Sequence, residues 1–325
     1  MKRHQSSPII TREQLHLFEP GLEDVSSVFN PGAIHHEGRI VMLLRVQDRG
    51  RRTHLVKAVS RDGVRFRIDS KAFPITGLEA FPHQVYHIYD PRIVRIEGSF
   101  YITCAVDCSG GCRVAVFSSS DLESMHYVGT LNDEQQRNGV LFDQKIEGRF
   151  WMLSRPNEHT GPDGVKSGSR IFAYSSDDLR SWKEEGLVME GRPHFWDELI
   201  GPGPPPIRTS FGWILIYHGV ATHFGGGGIY QAGMCLLDLD DPRILRARGE
   251  LNVLEPREMY ELTGQVPNVV FPTACVPIKS RSDGTIWMDD DFYVYYGAAD
   301  TCIGLAVTSP RKLLENSKAE LICKE

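Results

Sequence analysis

The chain has 325 residues, of which 41% are hydrophobic and 24% charged. Those are the proportions of a globular protein that buries its core without metals or disulfides. Its net charge of −6 excludes the basic surface that non-specific binding to nucleic acid or an anionic membrane requires. No stretch reaches the roughly 20 apolar residues that span a bilayer. The start MKRHQSSPIITREQLHLFEP has no apolar core of a secretory signal. A cytoplasmic location is therefore the expectation.

The first residues, His4 among them, read as a loose terminus, followed by a short helical turn predicted over Arg12 to Phe18. From there one unit recurs. Its core is a Gly or acidic turn followed by a run of aromatic and β-branched residues, which is strand composition with no helical period. The five runs are GRIVMLLRV from Gly38, GSFYITCAV from Gly98, GRFWMLSRP from Gly148, GWILIYHGV from Gly212 and DFYVYYGAA from Asp291. Their starts are unequally spaced, so the connecting loops vary while the unit persists.

Each run is preceded by a strand ending in a turn, such as FNPGAIHHEG or YDPRIVRIEG. Each is followed by another strand, such as THLVKAVSRDGVRFRI or CRVAVFSSSDLESMHYV. Four of the five following stretches carry an Asp in the next turn, where it bonds its own downstream backbone. Antiparallel sheets repeated around an axis make a β-propeller. The predicted fold is all-β, a single five-bladed propeller domain over residues 1–325 with a central funnel. A second helical turn is predicted at Pro310–Leu314, with Pro at its start.

The seven cysteines are odd in number and sit mostly in apolar runs, as small buried hydrophobes do. Cys104, Cys108 and Cys112 straddle a Gly-Gly turn without a His at zinc-finger spacing, so no metal is expected there. No P-loop, Rossmann glycine pattern or HExxH occurs, and no cofactor is expected. Gly225 to Gly228 reads as a flexible rim loop.

The innermost strand of each blade lines the channel, so polar residues near its start are candidates for chemistry. Asn30-Pro31-Gly32, Tyr89-Asp90-Pro91-Arg92, Arg137-Asn138-Gly139 and Pro267-Asn268 hold these places. Pro91 is expected to bias Asp90 to extended geometry and hold its carboxyl in one direction, as a general acid requires. The same Asp-Pro pair also suits a plain turn. At the far ends of the runs stand Arg45, with Arg49, Arg51 and Arg52 beyond it, then Arg155, His218 and Asp300. Guanidinium groups converging on a funnel make an anion site. Each alone would be an ordinary rim residue. Phe81, His83, Tyr86, His87 and Tyr89 form an aromatic stretch suited to a sugar ring or to a core.

The segments FNPGA, LLRVQDR, YDPRI, LFDQKIEGRFWMLSRPN, GPGPPPIRT, IYHGV, LLDLDDP, VPNVVFP and YYGAADTCIGLA, in this order from Asn30 to Ala306, resemble glycoside hydrolase family 130. That family contains β-mannoside phosphorylases and some β-mannosidases. The resemblance implies a five-bladed propeller in which inorganic phosphate attacks the anomeric carbon with inversion and releases α-mannose 1-phosphate. It implies Asp90 as general acid, its proton reaching the leaving oxygen through the mannose 3-hydroxyl. It implies Arg137, Arg155 and His218 as phosphate ligands, and Asn30, Arg45 and Asp300 as mannose contacts, with Tyr89 beside the acid.

One carboxylate then suffices, because phosphate replaces the base-activated water. Burial is expected to raise the Asp90 pKa against the opposing phosphate-binding cations. The sequence departs from the family at Leu199, where phosphorylases usually carry Lys or Arg, and Glu198 stands beside it. A β-mannosidase with a water held by Glu198 is the alternative, and a non-catalytic sugar-binding propeller the third possibility. The partners expected are a β-mannoside and phosphate, with neither nucleic acid nor membrane; linkage, leaving sugar and a homo-oligomeric state stay open.

Overall fold

Each of the five apolar runs becomes the second strand of an antiparallel sheet in the computed structural model, which describes residues 1–15, 24–160, 166–222, 227–279 and 285–321. Blade 1 is built from Val25–His36, Arg39–Asp48, Thr53–Ser60 and Arg67–Ala72. Blade 2 runs Val85–Ile96, Ser99–Cys108, Gly111–Ser119 and Met125–Thr130, with Ile75–Thr76 added in parallel at its outer edge. Blade 3 is Gln136–Leu141, Phe150–Pro156, Arg170–Ser176 and Lys183–Glu190. In blade 4 the inner strand is split into Leu199–Pro202 and Ile207–Thr209, both paired with Gly212–Ala221. Blade 5 is Val270–Pro277, Phe292–Ala298 and Cys302–Thr308. The five sheets form a five-bladed β-propeller.

The runs are apolar at consecutive positions because each sheet is covered on both faces by its neighbours. Five hydrophobic clusters fill the five seams. Val41, Leu43 and Leu55 meet Phe100 and Ile102 between blades 1 and 2, and Val140 and Leu153 meet Trp213 and Leu215 between blades 3 and 4. The predicted Asp turns are present. Arg180 and Ser181 donate to Asp178 Oδ1 at 2.8 and 2.8 Å, and Val64 and Arg65 donate to Asp62 Oδ1 at 2.9 and 2.8 Å.

The ends of the chain differ from the expectation. Lys2–Arg3 is the outermost strand of blade 5, with Lys2 opposite Val307 and Arg3 opposite Ala306. The first residues thus close the ring on the last blade. Arg3 anchors the clasp through Nε and Nη2, each 2.7 Å from the buried Glu261 carboxylate. A two-residue edge strand has no periodicity to betray it, which is why the terminus read as loose. The helical turn predicted from Arg12 is a 3-10 turn at Arg12–Gln14; residues 16–18 of that span lie outside the described residues. The second predicted turn extends to a full helix, Pro310–Ser317, capped by Ser309. A further short helix, Met259–Leu262, carries the glutamate that receives Arg3.

Candidate active site

The innermost strands of blades 1, 2 and 3 share one local device. Each contains a β-bulge, between Phe29 and Gly32, Tyr89 and Arg92, and Arg137 and Val140. At each bulge an Asn or Asp adopts left-handed backbone: Asn30 at φ 44, Asp90 at φ 52 and Asn138 at φ 60. Asn and Asp tolerate this region better than other side chains, and a bulge re-aims the residue it contains.

This corrects the expected extended geometry of Asp90. The preference that proline imposes on its predecessor is overridden by the ladder on both sides of the bulge. It also corrects the fourth equivalence. In blade 5 the register shift lies between Pro272 and Ala274, so Asn268 stands upstream of it. Close packing at the axis needs bare α-carbons: a Cβ on Gly32 would meet the Pro91 carbonyl oxygen at 2.6 Å, and one on Gly297 would overlap Asn30 Oδ1.

The bulges open onto a cavity of about 680 Å³. Asn30, Arg45, Tyr89 and Asp90 line it together with Arg137, Arg155, His218 and Asp300. Every residue assigned to sugar, acid or phosphate from the sequence therefore reaches one chamber. Leu199 also lines it, whereas Glu198 is not among the lining residues. Glu198 accepts a hydrogen bond from the lining residue Thr222, which holds its carboxyl below the usual range. Arg49 pairs with Asp24 and Arg52 with Asp48, so these two rim arginines, with Arg51, stand outside the chamber's lining. Phe81 packs against Tyr127 in the core and His83 against Asp133, leaving Tyr89 as the member of that stretch in the site. Gly227 and Gly228 line the cavity; Gly225 and Gly226 lie outside the described residues, as does Cys323.

Asp90 is held from several directions. Arg45 Nη1 donates to Oδ1 at 2.8 Å and Asn30 Nδ2 to the same oxygen at 3.0 Å. Arg92 Nη1 donates to the Asp90 carbonyl at 2.6 Å and lies 3.9 Å from Oδ2. Arg45 is itself clamped between the rings of Phe29 and Tyr89, 4.4 and 4.3 Å from their centroids. Burial pushes the Asp90 carboxyl up, but Arg45, Arg92 and the bonds from Arg45 and Asn30 outweigh it, and the carboxyl ends below its ordinary value. The expected net rise is thus reversed in the unliganded chain.

Asp300, which also feels the Arg45 charge, shows the opposite balance. Burial dominates, Arg45 only partly opposes it, the Asp90 charge adds to it, and the pKa is pushed up to about 6. A rise of that size is worth about 3 kcal/mol at neutral pH. The folded chain holds this proton more tightly than the unfolded chain does. The stability contributed by Asp300 is therefore complete below about pH 4 and is lost as pH rises through about 6. Asp300→Asn is expected to raise Tm by a few degrees at about pH 7.5 and to leave it unchanged near pH 4. Thermal melts at the two pH values check this, and a lower Tm at the higher pH would contradict it.

The other cations of the chamber are matched unequally: Arg137 has Asp107 at 3.6 Å, and Arg155 has no such partner among the described residues. Arg155 is buried and donates to Ser167 Oγ at 3.2 Å and Asn157 Oδ1 at 2.9 Å. Among the described residues no carboxylate lies within 4.0 Å of it. Burial, with Arg137 nearby, lowers its pKa to about 10. Burial, with Arg155 and Arg92 nearby, likewise holds His218 well below the usual imidazole value, so the ring is neutral. Arg137 Nε, Arg155 Nε and the His218 ring nitrogens are buried without a hydrogen-bond partner among the described residues, and the same holds for Arg45 Nε and Arg92 Nη2 beside Asp90. Unpaired buried donors are costly, and a bound anion would offer them an acceptor.

Sequence reasoning missed Asp107, which also lines the cavity. It accepts the Tyr89 hydroxyl at 2.9 Å and lies 3.6 Å from Arg137 Nη2, tying Tyr89 to Arg137. The signal was present: Asp107 ends the second apolar run, as Arg45, Arg155, His218 and Asp300 end or follow theirs. Asn138, Tyr230 and Phe271 complete the walls. Cys112 packs its sulfur 3.6 Å from the Tyr89 hydroxyl, and Cys108 donates to the Gly111 carbonyl at 2.9 Å.

Comparison with known proteins identifies the family. The family model described as β-1,4-mannooligosaccharide phosphorylase, of glycoside hydrolase family 130, matches residues 1–319. The chain is 31% identical over 324 residues to a β-1,4-mannooligosaccharide phosphorylase of Ruminococcus albus, covering 98% of this chain and 90% of that one. It is 34% identical over 294 residues to a 1,2-β-oligomannan phosphorylase of a Thermoanaerobacter species, covering 87% of this chain and 90% of that one. Its fold matches the β-1,2-mannobiose phosphorylase of Listeria innocua, solved with β-1,2-mannobiose, at a TM-score of 0.81 and 24% identity over 98% of this chain and 99% of that one. The chain belongs to glycoside hydrolase family 130, as an enzyme of the glycoside phosphorylase type.

Proposed function

We propose that this chain cleaves a β-mannoside, linked β-1,4 or β-1,2, by phosphorolysis. Inorganic phosphate is the co-substrate and needs no cofactor or metal. Arg137, Arg155 and His218 hold it, while Asn30, Arg45, Tyr89 and Asp300 hold the mannosyl residue. A phosphate oxygen forms a bond to the anomeric carbon as the glycosidic C–O bond breaks, with inversion. Asp90 gives its proton toward the mannose 3-hydroxyl, whose own proton passes to the leaving oxygen. The products are α-mannose 1-phosphate and the shortened sugar.

The observation that carries this is the gathering of Arg137, Arg155 and His218 in the chamber, each with a buried nitrogen that has no partner among the described residues. Asp90 lines the same chamber, held by Arg45 and Asn30. An anionic nucleophile fits these donors, whereas a water would leave Arg155, which has no carboxylate partner among the described residues, uncompensated. Glu198, the residue the hydrolytic alternative relies on, is turned to Thr222 outside the lining. That placement supports phosphate over water as the nucleophile. The test is product analysis on β-1,2- and β-1,4-mannobiose and on mannosyl-glucose, with and without phosphate. Mannose 1-phosphate released only in the presence of phosphate is the expected result. Equal turnover without phosphate, together with its loss in Glu198→Gln, would establish hydrolysis instead.

Leu199 gives a second handle on the same chamber. It lines the cavity where the family pattern has a basic residue. Leu199→Lys is expected to lower the phosphate KM by about three- to tenfold through one added charged donor. The mannoside KM is expected to stay constant. Initial rates over a phosphate series check this, and a raised phosphate KM would contradict it.

A further inference from the structure

We propose that Gln265, outside the residues lining the chamber, is a positioning residue that holds Asp300 in place for the sugar, an inference that rests on reading Asp300 as a mannose contact. Asp300 follows the middle strand of blade 5 in a turn of unusual backbone. Ala299 and Asp300 are consecutive left-handed residues, at φ 46 and φ 49, and neither is glycine. Such residues are strained and persist where their surroundings over-determine them. The surroundings here come from the segment between the helix Met259–Leu262 and the inner strand of blade 5.

Gln265 Nε2 donates to the Asp300 carbonyl at 2.6 Å and to Ser27 Oγ at 2.6 Å. Its Oε1 accepts from Arg51 Nη1. Its backbone N–H donates to Thr301 Oγ1 at 2.9 Å, and the next residue, Val266, donates to the Ala299 carbonyl at 3.2 Å. A guanidinium can only donate, so Arg51 fixes which end of the amide is the oxygen. The nitrogen must then face Asp300, and both its hydrogens are used.

The amide therefore joins blade 1, through Ser27 and Arg51, to the strained turn of blade 5. Gly264 has no room for a side chain, because a Cβ there would run into the Ala299 carbonyl and the Thr301 hydroxyl. The segment is thus seated tightly on the turn. Without the amide donor the Asp300 carbonyl is left to water, the turn can relax from left-handed backbone, and the carboxylate swings with it. A shift of about 1 Å at a positioning group can cost about 10²-fold.

Gln265→Glu keeps shape and volume but points an acceptor at the carbonyl; Gln265→Ala removes the amide. Both are expected to raise the KM for a β-mannoside by about 10- to 100-fold while the phosphate KM stays within about twofold. Arg51→Ala, on the exposed side, is expected to give a smaller rise in the same constant. Steady-state kinetics with each substrate varied in turn are read beside Asp300→Asn. If Asp300→Asn raises the mannoside KM and the Gln265 variants do not, the positioning role is overturned. It is equally overturned if both KM values rise in parallel, as general loosening would produce. If Asp300→Asn itself leaves the mannoside KM unchanged, the reading of Asp300 fails, and the inference with it.

Discussion

Asp90→Asn is expected to lower kcat on a β-mannoside by about 10²- to 10⁴-fold, the usual contribution of a positioned acid. Asn retains the shape and can still accept from Arg45 and Asn30, so the fold and phosphate binding should survive. β-Mannosyl fluoride, whose leaving group needs no proton, separates the acid from a structural role. Its phosphorolysis should stay within about tenfold of the unsubstituted rate by the same principle. If the fluoride suffers as much as the mannoside, Asp90 is not the acid.

The pH dependence of this residue is specific. In the unliganded chain burial is outweighed by Arg45 and Arg92, and the carboxyl lies below its ordinary value. At neutral pH it is ionised. Phosphate brings negative charge into the same chamber and partly neutralises its cations, which favours the protonated carboxyl. Phosphate binding should therefore be accompanied by proton uptake. The alkaline limb of kcat, which reports the bound state, should lie at higher pH than the limb of kcat/KM, which reports the free one. Coincident limbs would contradict the coupling, and a limb that persists in Asp90→Asn would belong to another group.

The second large effect is at Arg155. It is buried, pairs with no carboxylate among the described residues, and carries a pKa lowered to about 10 by burial and Arg137. A charge held in this way is maintained at a cost to stability. Arg155→Met is expected to raise the phosphate KM by about 10- to 100-fold, the equivalent of one or two charge-assisted hydrogen bonds. It should leave the mannoside KM near its original value. It should also raise Tm, because an uncompensated cation is exchanged for an apolar side chain of similar length. A variant with a lower Tm and an unchanged phosphate KM would make Arg155 an ordinary structural arginine.

The fold was legible because each blade repeats the same covalent logic. A turn and an apolar run buried on both faces recur at Gly38, Gly98, Gly148, Gly212 and Asp291, with an Asp-anchored turn after the first four, and each run became the second strand of a sheet. The ends of the runs were legible for the same reason: equivalent positions in a repeat must converge on the axis.

What escaped was whatever depends on register between strands. The left-handed backbone at Asn30, Asp90 and Asn138 is set by bulges, and a bulge is a property of two strands. A rule about Asp90 and Pro91 alone pointed the wrong way. The sign of the Asp90 shift depends on Arg92 reaching back and on Arg45 crossing from blade 1, contacts no single segment encodes. Asp107 was missed for a smaller reason. It ends its run as an acid where neighbouring runs end in cations, and it works by bridging Tyr89 and Arg137 rather than by facing an anion.

The most direct test of phosphorolysis is to run the reaction on a β-mannobiose in oxygen-18 water with phosphate present and follow the label by mass spectrometry. The expected product is mannose 1-phosphate free of the heavy isotope, formed with the α configuration and in step with phosphate consumption. Free mannose carrying one heavy oxygen per cleavage as the first product would contradict it, because water and not phosphate would then be the nucleophile in the Arg137–Arg155–His218 chamber.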